Sequence, residues 1–228
     1  MTALSVTYPS DPSPQPTPLY RWQPATWEEY CDRRDELELD EKHWRLFFDE
    51  NSVLVVDMGW EGINHAAICD LFIALLFAWF AQNSDQTFTS LGRCLLEKKP
   101  LKAGAPDLVV YLGENYPRWE PGEQRQVDLN KWPVPDFIGE VSDTTLATDL
   151  DEKKKLYASL KIPEYWVIDI RGGRVFIFRL DETGTYQTCE ASSALTGLSV
   201  TLLEATIQKT AQESNGKAAL WFAQQIKK

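Results

Sequence analysis

Two segments of this chain are apolar without the alternation of a half-exposed strand: "PDLVVYL" from Pro106 to Leu112 and "DFIGEVS" from Asp136 to Ser142. A strand apolar on both faces has to be covered on both faces. The chain must therefore place these strands in the middle of a sheet with a packed layer on each side, and that requirement excludes an open one-layer sheet or a helical bundle.

The remaining pattern supplies the layers. "TWEEY" has capping-box spacing between Thr26 and Glu29 and predicts a short helix. "WRLFFDENSVLVVDM" reads as a β-hairpin around the polar Asp49-Glu50-Asn51-Ser52 turn. A long apolar helix follows from Asn64 to Gln82, then short strands near Thr87 to Ser90 and Arg93 to Glu97. Between the two apolar strands lies "GENYPRWEPGEQRQVDLNKWPVP", a polar connection long enough to suggest a functional or mobile loop. A helix over residues 149–160 ends before Pro163. "EYWVID" and "RVFIFRL" form a hairpin turned at Gly172-Gly173. A strand at Leu198 to Leu203 and a helix from about Lys217 complete the order. This succession gives an α/β or α+β fold with a mixed central sheet flanked by helices and an N-terminal hairpin.

The first 24 residues hold six prolines, and the first basic residue is Arg21. The expectation is a flexible tail over 1–24, with no secretory signal, and one domain over 25–228. The longest apolar run, Leu71 to Ala81, is too short to span a bilayer, which takes roughly 20 residues, so no membrane partner is expected. The net charge of −11 argues against a broad basic surface that would grip any nucleic acid. Four cysteines without a CxxC pair, and two histidines, His43 and His65, not spaced as ligands, speak for a reducing, cytoplasmic setting and against a structural zinc site.

"DLDEKKKLYASL" poses the chemical question. At about 100° per residue, with Leu150 at zero, Leu146, Leu156, Tyr157 and Leu160 fall at roughly 320°, 240°, 340° and 280°. Lys153 falls near 300° and Asp149 near about 260°, inside that apolar stripe, whereas Lys155 points away at roughly 140° and Lys154 sits at the edge. A charge turned to the core costs several kcal/mol unless it is paired or used. Each of the two apolar strands carries one acid, Asp107 and Glu140. If the strands are neighbours, about 5 Å apart, these carboxylates can share a hard cation, and Lys153 meets a negative site. Asp136 competes with Asp107 for that part, but it lies four residues from Glu140 on one strand, about 13 Å away.

These residues, in this order, resemble a family. "PD" at Pro106-Asp107, "EVS" at Glu140 to Ser142, Asp149, Lys153 and Tyr157 with their spacing of four, and "PEYWVID" at Pro163 to Asp169 are similar to the Uma-two-like restriction-endonuclease family of the PD-(D/E)XK nuclease superfamily. "TWEEY" and a histidine, His65, opening the first long helix extend the likeness. The resemblance implies a restriction-endonuclease-like core, Mg²⁺ or Mn²⁺ at Asp107 and Glu140, and phosphodiester hydrolysis of nucleic acid, with DNA as the substrate. The superfamily's usual lysine position, two residues after the second acid, holds Ser142 here, and Lys153 on the next helix takes its part. A glycine usual in the family is replaced by Lys161, so the helix is expected to end without a left-handed cap. The extra acid of the first helix has two candidates, Glu61 and Asp70.

The expected catalytic set is thus Asp107, Glu140 and Lys153, with the first two as metal ligands and Lys153 orienting or deprotonating the attacking water. Asp149 either holds Lys153 from one turn away or is a helix-start acid favoured by the dipole. Ser142 is either a hydrogen-bond donor to water or phosphate or an ordinary strand serine, and His65 either a helper beside the metal or a structural helix-start histidine. Trp166 and the Phe77, Trp79 and Phe80 group read as core. Two other functions fit the same residues: a non-catalytic nuclease-like interaction protein, and a nucleic-acid binder without cleavage. A homodimer suits an enzyme that cuts both strands of a duplex.

Overall fold

The computed structural model of the chain describes residues 22–39, 44–57, 62–83 and 86–227. Most of the proline-rich segment, His43 and Glu61 lie outside the described residues. In chain order the elements are β1 (Gln23–Pro24), α1 (Trp27–Leu39), β2 (Trp44–Asp49), β3 (Ser52–Asp57), α2 (Ile63–Asn83), β4 (Phe88–Ser90), β5 (Leu96–Lys98), β6 (Lys102–Gly104), β7 (Leu108–Leu112), β8 (Val127–Asp128), β9 (Phe137–Ser142), α3 (Leu146–Leu150), α4 (Glu152–Ser159), β10 (Glu164–Asp169), β11 (Arg174–Leu180), β12 (Tyr186–Cys189), α5 (Val200–Lys209) and α6 (Asn215–Gln225).

The central sheet runs β12-β11-β10-β9-β7-β4. It is mixed, because β9 and β10 are parallel while the other pairs are antiparallel. Every residue of β9 and β10 is buried, as strands covered on both faces must be. One face carries Leu108, Val110, Val141 and Ile168 against Phe72 and Leu76 of α2, Leu203 of α5 and Phe222 of α6. The opposite face carries Val109, Ile138, Tyr165 and Val167 against Leu156 and Tyr157 of α4 and against Phe47, Leu54 and Leu96. Those last three belong to a second sheet, β1-β3-β2-β6-β5-β8. The N-terminal hairpin is therefore the middle of a second layer, with Glu50 in the left-handed region at its two-residue turn.

Local chemistry explains the ends. Thr26 and Glu29 form the reciprocal capping box that opens α1, with Thr26 N donating to Glu29 Oε2 at 2.7 Å and Glu29 N to Thr26 Oγ1 at 3.2 Å. Within the long connection between β7 and β9, β8 adds to the second sheet in parallel with β5 and buries Val127 and Leu129.

Four expectations need correction. The helix read as continuous over 149–160 is two, α3 and α4, broken at Asp151, whose backbone (φ −119°, ψ −79°) leaves the regular helical well. Residues 200–203 are the first turn of α5, where a strand over 198–203 was expected: Ser199 caps the helix by accepting from Leu202 N at 3.2 Å, and Leu203 and Ile207 bury at helical spacing. Phe77 is exposed, while Trp79 and Phe80 are buried. Lys161 itself adopts the left-handed cap conformation (φ 63°) that a glycine was expected to supply. Its N–H donates to Ala158 O and that of Ile162 to Tyr157 O, the paired bonds of a Schellman ending. By length and composition α2 reaches what a bilayer crossing requires, yet here it packs on β9 and α6 as a core helix.

Candidate active site

β7 and β9 are antiparallel neighbours with Leu108 opposite Gly139. Continuing that register puts Asp107 opposite Glu140, and opposite residues of an antiparallel pair share a face. The face is the one covered by α4 and the second sheet. Asp107 Oδ2 accepts a hydrogen bond from Val141 N at 2.8 Å, which ties the first carboxylate to the strand that carries the second.

The lysine arrives from α4. Lys153 Nζ lies 3.1 Å from Glu140 Oε2 and 2.9 Å from Asp149 Oδ1, and 4.4 Å from the centre of the Phe47 ring. The other Glu140 oxygen accepts from Tyr157 OH at 2.5 Å. Asp149 Oδ2 accepts from Ser142 Oγ and from Thr145 Oγ1, and its backbone carbonyl accepts from Tyr165 OH at 2.9 Å. On the far side of Asp107, Arg45 Nη1 from β2 donates to Oδ1 at 2.6 Å and His65 Nε2 from α2 stands 3.3 Å from Oδ2. Cys69, one turn along α2, places its sulfur 3.6 Å from His65 Nδ1. Asp107, Glu140, Asp149 and Lys153 are each no more than 4% exposed.

Electrostatics separates the two acids. Burial pushes Asp107 up, but the hydrogen bond from His65 and the charge of Arg45 outweigh it and hold this carboxyl well below the usual carboxylate range. Burial likewise pushes Glu140 up, and although Lys153 draws it down, repulsion from Asp149 and Asp107 leaves it at about 7. Burial would lower Lys153, yet the carboxylates of Asp149 and Glu140 raise it, so its ammonium stays charged. His65 is raised by the bond to Asp107, against the effect of burial. Arg45 and His65 thus both serve Asp107, while Glu140 and Asp149 share the single ammonium of Lys153. The shortage of positive charge beside Glu140 and the oxygen donors on facing strands fit a hard divalent cation held by Asp107 and Glu140.

The sequence-derived set, Asp107, Glu140, Lys153, Asp149, Ser142 and His65, comes together in one buried cluster. Asp136 does not join it; its Oδ2 accepts from Leu112 N at 2.7 Å. Asp70 is exposed. Lys155 pairs with Asp151 at the surface at 2.5 Å, and Lys154 lies over the Phe178 ring. Trp166 is fully buried and donates to Glu164 Oε1 at 2.6 Å, a core residue. Sequence reasoning missed Arg45, Cys69 and the part of Tyr157 in holding Glu140. For Tyr157 a signal existed, since it lies one turn past Lys153 on the same apolar stripe.

The family model described as "Putative restriction endonuclease" (Uma2) matches residues 27–212. Among solved structures, the crystal structure of a putative nuclease belonging to DUF820 from Anabaena variabilis ATCC 29413 superposes with a TM-score of 0.51 at 17% identity, over 87% of this chain and 99% of that one. At that identity the likeness concerns the fold. No curated protein matches the chain. Because the family match runs from the first residue of α1 past the end of α5, the chain belongs to the Uma2 family of putative restriction endonucleases.

Proposed function

We propose that this protein is a metal-dependent nuclease that hydrolyses phosphodiester bonds of DNA. The observation that carries the reading is the convergence of two strand carboxylates and one helix ammonium, distant in sequence, in a single buried cluster. A merely structural domain has little reason to keep three carboxylates this close.

In this reading Asp107 and Glu140 hold Mg²⁺ or Mn²⁺. The ion, when bound, supplies Lewis-acid stabilisation of the charge that builds on the phosphate. The other work belongs to the chain. Tyr157 and Lys153 fix the two oxygens of Glu140, and Arg45 and Val141 N–H fix those of Asp107, so both acids are oriented before substrate arrives. Lys153, kept protonated by its carboxylate partners, orients the water and stabilises developing negative charge; an ammonium in that state does not take the water's proton. Asp149 is the positioning residue of Lys153, and Ser142 and Thr145 position Asp149. The protein acts in the cytoplasm, and a homodimer would present two such sites to a duplex.

A second reading, a nuclease-like interaction protein without catalysis, is favoured by the burial of Asp107, Glu140 and Lys153 and by the donors already on both oxygens of each acid. Cleavage of single-stranded, double-stranded and branched DNA with Mg²⁺ or Mn²⁺, run beside Glu140→Gln and Lys153→Gln, separates the two. The nuclease reading expects cleavage in the intact chain and loss of about 100-fold or more in each variant, with DNA affinity retained. Cleavage unchanged in both variants, or none with any substrate, sinks it.

A further inference from the structure

The geometry points to a second metal site beside the first, formed by His65, Cys69 and Asp107 and suited to a thiophilic divalent cation such as Zn²⁺. His65 and Cys69 are four residues apart on α2, the spacing that puts two ligands on one face of a helix. Both are buried, and both face the start of β7, where Asp107 stands. One ligand atom from each of the three lies within 4.8 Å of the others. The nearest approaches are 3.3 Å between His65 Nε2 and Asp107 Oδ2, and 3.6 and 4.0 Å from the Cys69 sulfur to the two ring nitrogens. Donors roughly 2.0–2.3 Å from a common tetrahedral ion stand roughly 3.3–3.6 Å from one another. His65 and Asp107 therefore already stand at the spacing of two ligands, and the Cys69 sulfur, within 4.8 Å of the other donors, has to draw closer for all three to share one ion.

The site differs from the carboxylate pair in chemistry and not only in place. A thiolate and an imidazole select zinc-like ions over Mg²⁺, which prefers oxygen donors. Asp107 is common to both: Arg45 holds its Oδ1 at 2.6 Å, which leaves Oδ2 as the oxygen turned to α2. Glu140 is not required, because its oxygens are directed to Tyr157 and Lys153. Binding releases two protons to solvent, that of the Cys69 thiol and the His65 ring proton that otherwise faces Asp107, and three protein ligands leave the fourth tetrahedral position open. The absence of a CxxC pair does not bear on this site, which takes its ligands from a helix face and a strand end.

The test is titration of the full chain with Co²⁺ as the probe ion. One equivalent is expected to produce a sulfur-to-metal charge-transfer band in the near ultraviolet. Cys69→Ser abolishes that band, and a variant carrying Cys31→Ser, Cys94→Ser and Cys189→Ser keeps it. His65→Ala and Asp107→Asn weaken Co²⁺ binding by about tenfold or more. Glu140→Gln retains the band, although the nuclease reading has it lose Mg²⁺-dependent cleavage, so the two proposals fail separately. X-ray absorption of the Zn²⁺-loaded intact chain, which needs no variant to fold, is expected to show one sulfur at about 2.3 Å. No charge-transfer band at stoichiometric Co²⁺, a band that survives Cys69→Ser, or a zinc shell of nitrogen and oxygen alone overturns the site.

Discussion

Lys153 and Glu140 meet at 3.1 Å across the interface between α4 and the central sheet, with Asp149 2.9 Å from the same ammonium. The pair is fully desolvated, and breaking such a pair from one side leaves an uncompensated charge that costs about 3–5 kcal/mol. Lys153→Met is expected to lower stability by that amount in urea unfolding. In an Asp149→Asn background the same change costs less than in the intact chain, because the residues share one interaction. Additive losses would show that the ammonium and Asp149 do not interact.

Lys161 holds the left-handed conformation that closes α4. A residue with a Cβ is disfavoured there by about 1–2 kcal/mol relative to glycine. Lys161→Gly is accordingly expected to raise stability by about 1 kcal/mol while leaving the helix end unchanged, as read by the urea midpoint and by hydrogen exchange at Ile162 N–H, which bonds to Tyr157 O. A destabilised variant would mean that the lysine side chain contributes more than the strain removes.

How much of this was visible beforehand follows from range. The inward turn of Lys153 and its i,i+4 relation to Asp149 are local, and they survive the break at Asp151 because residues 149 and 153 remain one turn apart. Two fully apolar strands belong in the middle of a sheet, but that they pair with each other, which brings Asp107 beside Glu140, was a condition that the β7–β9 register supplies. Arg45 was out of reach: it comes from a hairpin in the other sheet, and nothing in "WRLFFD" says which carboxylate the arginine will meet once the two layers close. Leu198 to Leu203 misled because an apolar run of that length suits a buried strand as well as a helix, and the Ser199 cap decides it.

Glu140 gives the fold a pH dependence of definite sign. Its carboxyl is raised from 4.5 to about 7 by burial first, with Lys153 opposing and Asp149 and Asp107 adding repulsion. A raised folded-state value means a contribution fully present below 4.5 and lost as pH rises toward about 7. The metal-free protein should therefore lose about 3 kcal/mol of stability relative to Glu140→Gln between about pH 4 and about pH 8. Unfolding curves of the two proteins that stay parallel from pH 4 to about pH 8 would remove the basis for this assignment.

Gly104 is the residue that lets Tyr157 reach Glu140. A Cβ at 104 would stand 3.0 Å from Tyr157 Cε1 and 3.4 Å from its hydroxyl, with Phe47 behind at 3.5 Å. Gly104→Ala should therefore shift the tyrosine ring and cost about 1–3 kcal/mol by overpacking. Tyr157→Phe, which keeps the ring and removes only the donor, should cost about 1–2 kcal/mol. In the nuclease reading both lower cleavage by releasing Glu140 Oε1. If cleavage falls in the alanine variant alone, packing and not the hydrogen bond positions the acid.

Glu97 plays a comparable part in the second sheet. It is completely buried on β5, and its Oε1 accepts from Tyr30 OH at 2.7 Å and Arg34 Nη1 at 2.8 Å, both from α1. Gln126, next to β8, donates to Oε2, and Lys99 lies 3.7 Å from the same oxygen. One carboxylate thus joins α1, β5 and the connection before β9. Glu97→Ala leaves the Arg34 guanidinium, whose side chain is only 12% exposed, with Asp35 as its carboxylate partner and removes the acceptor of Tyr30 OH, and should cost about 1–3 kcal/mol. Glu97→Gln retains an acceptor for Tyr30 and Arg34 and should cost less. The distinctive expectation concerns where the loss appears: amide exchange should accelerate throughout α1 before it changes in β9 and β10, because the central sheet is held by contacts that do not include Glu97. Acceleration in β9 and β10 at the same denaturant concentration would show that α1 and the two sheets open as one unit.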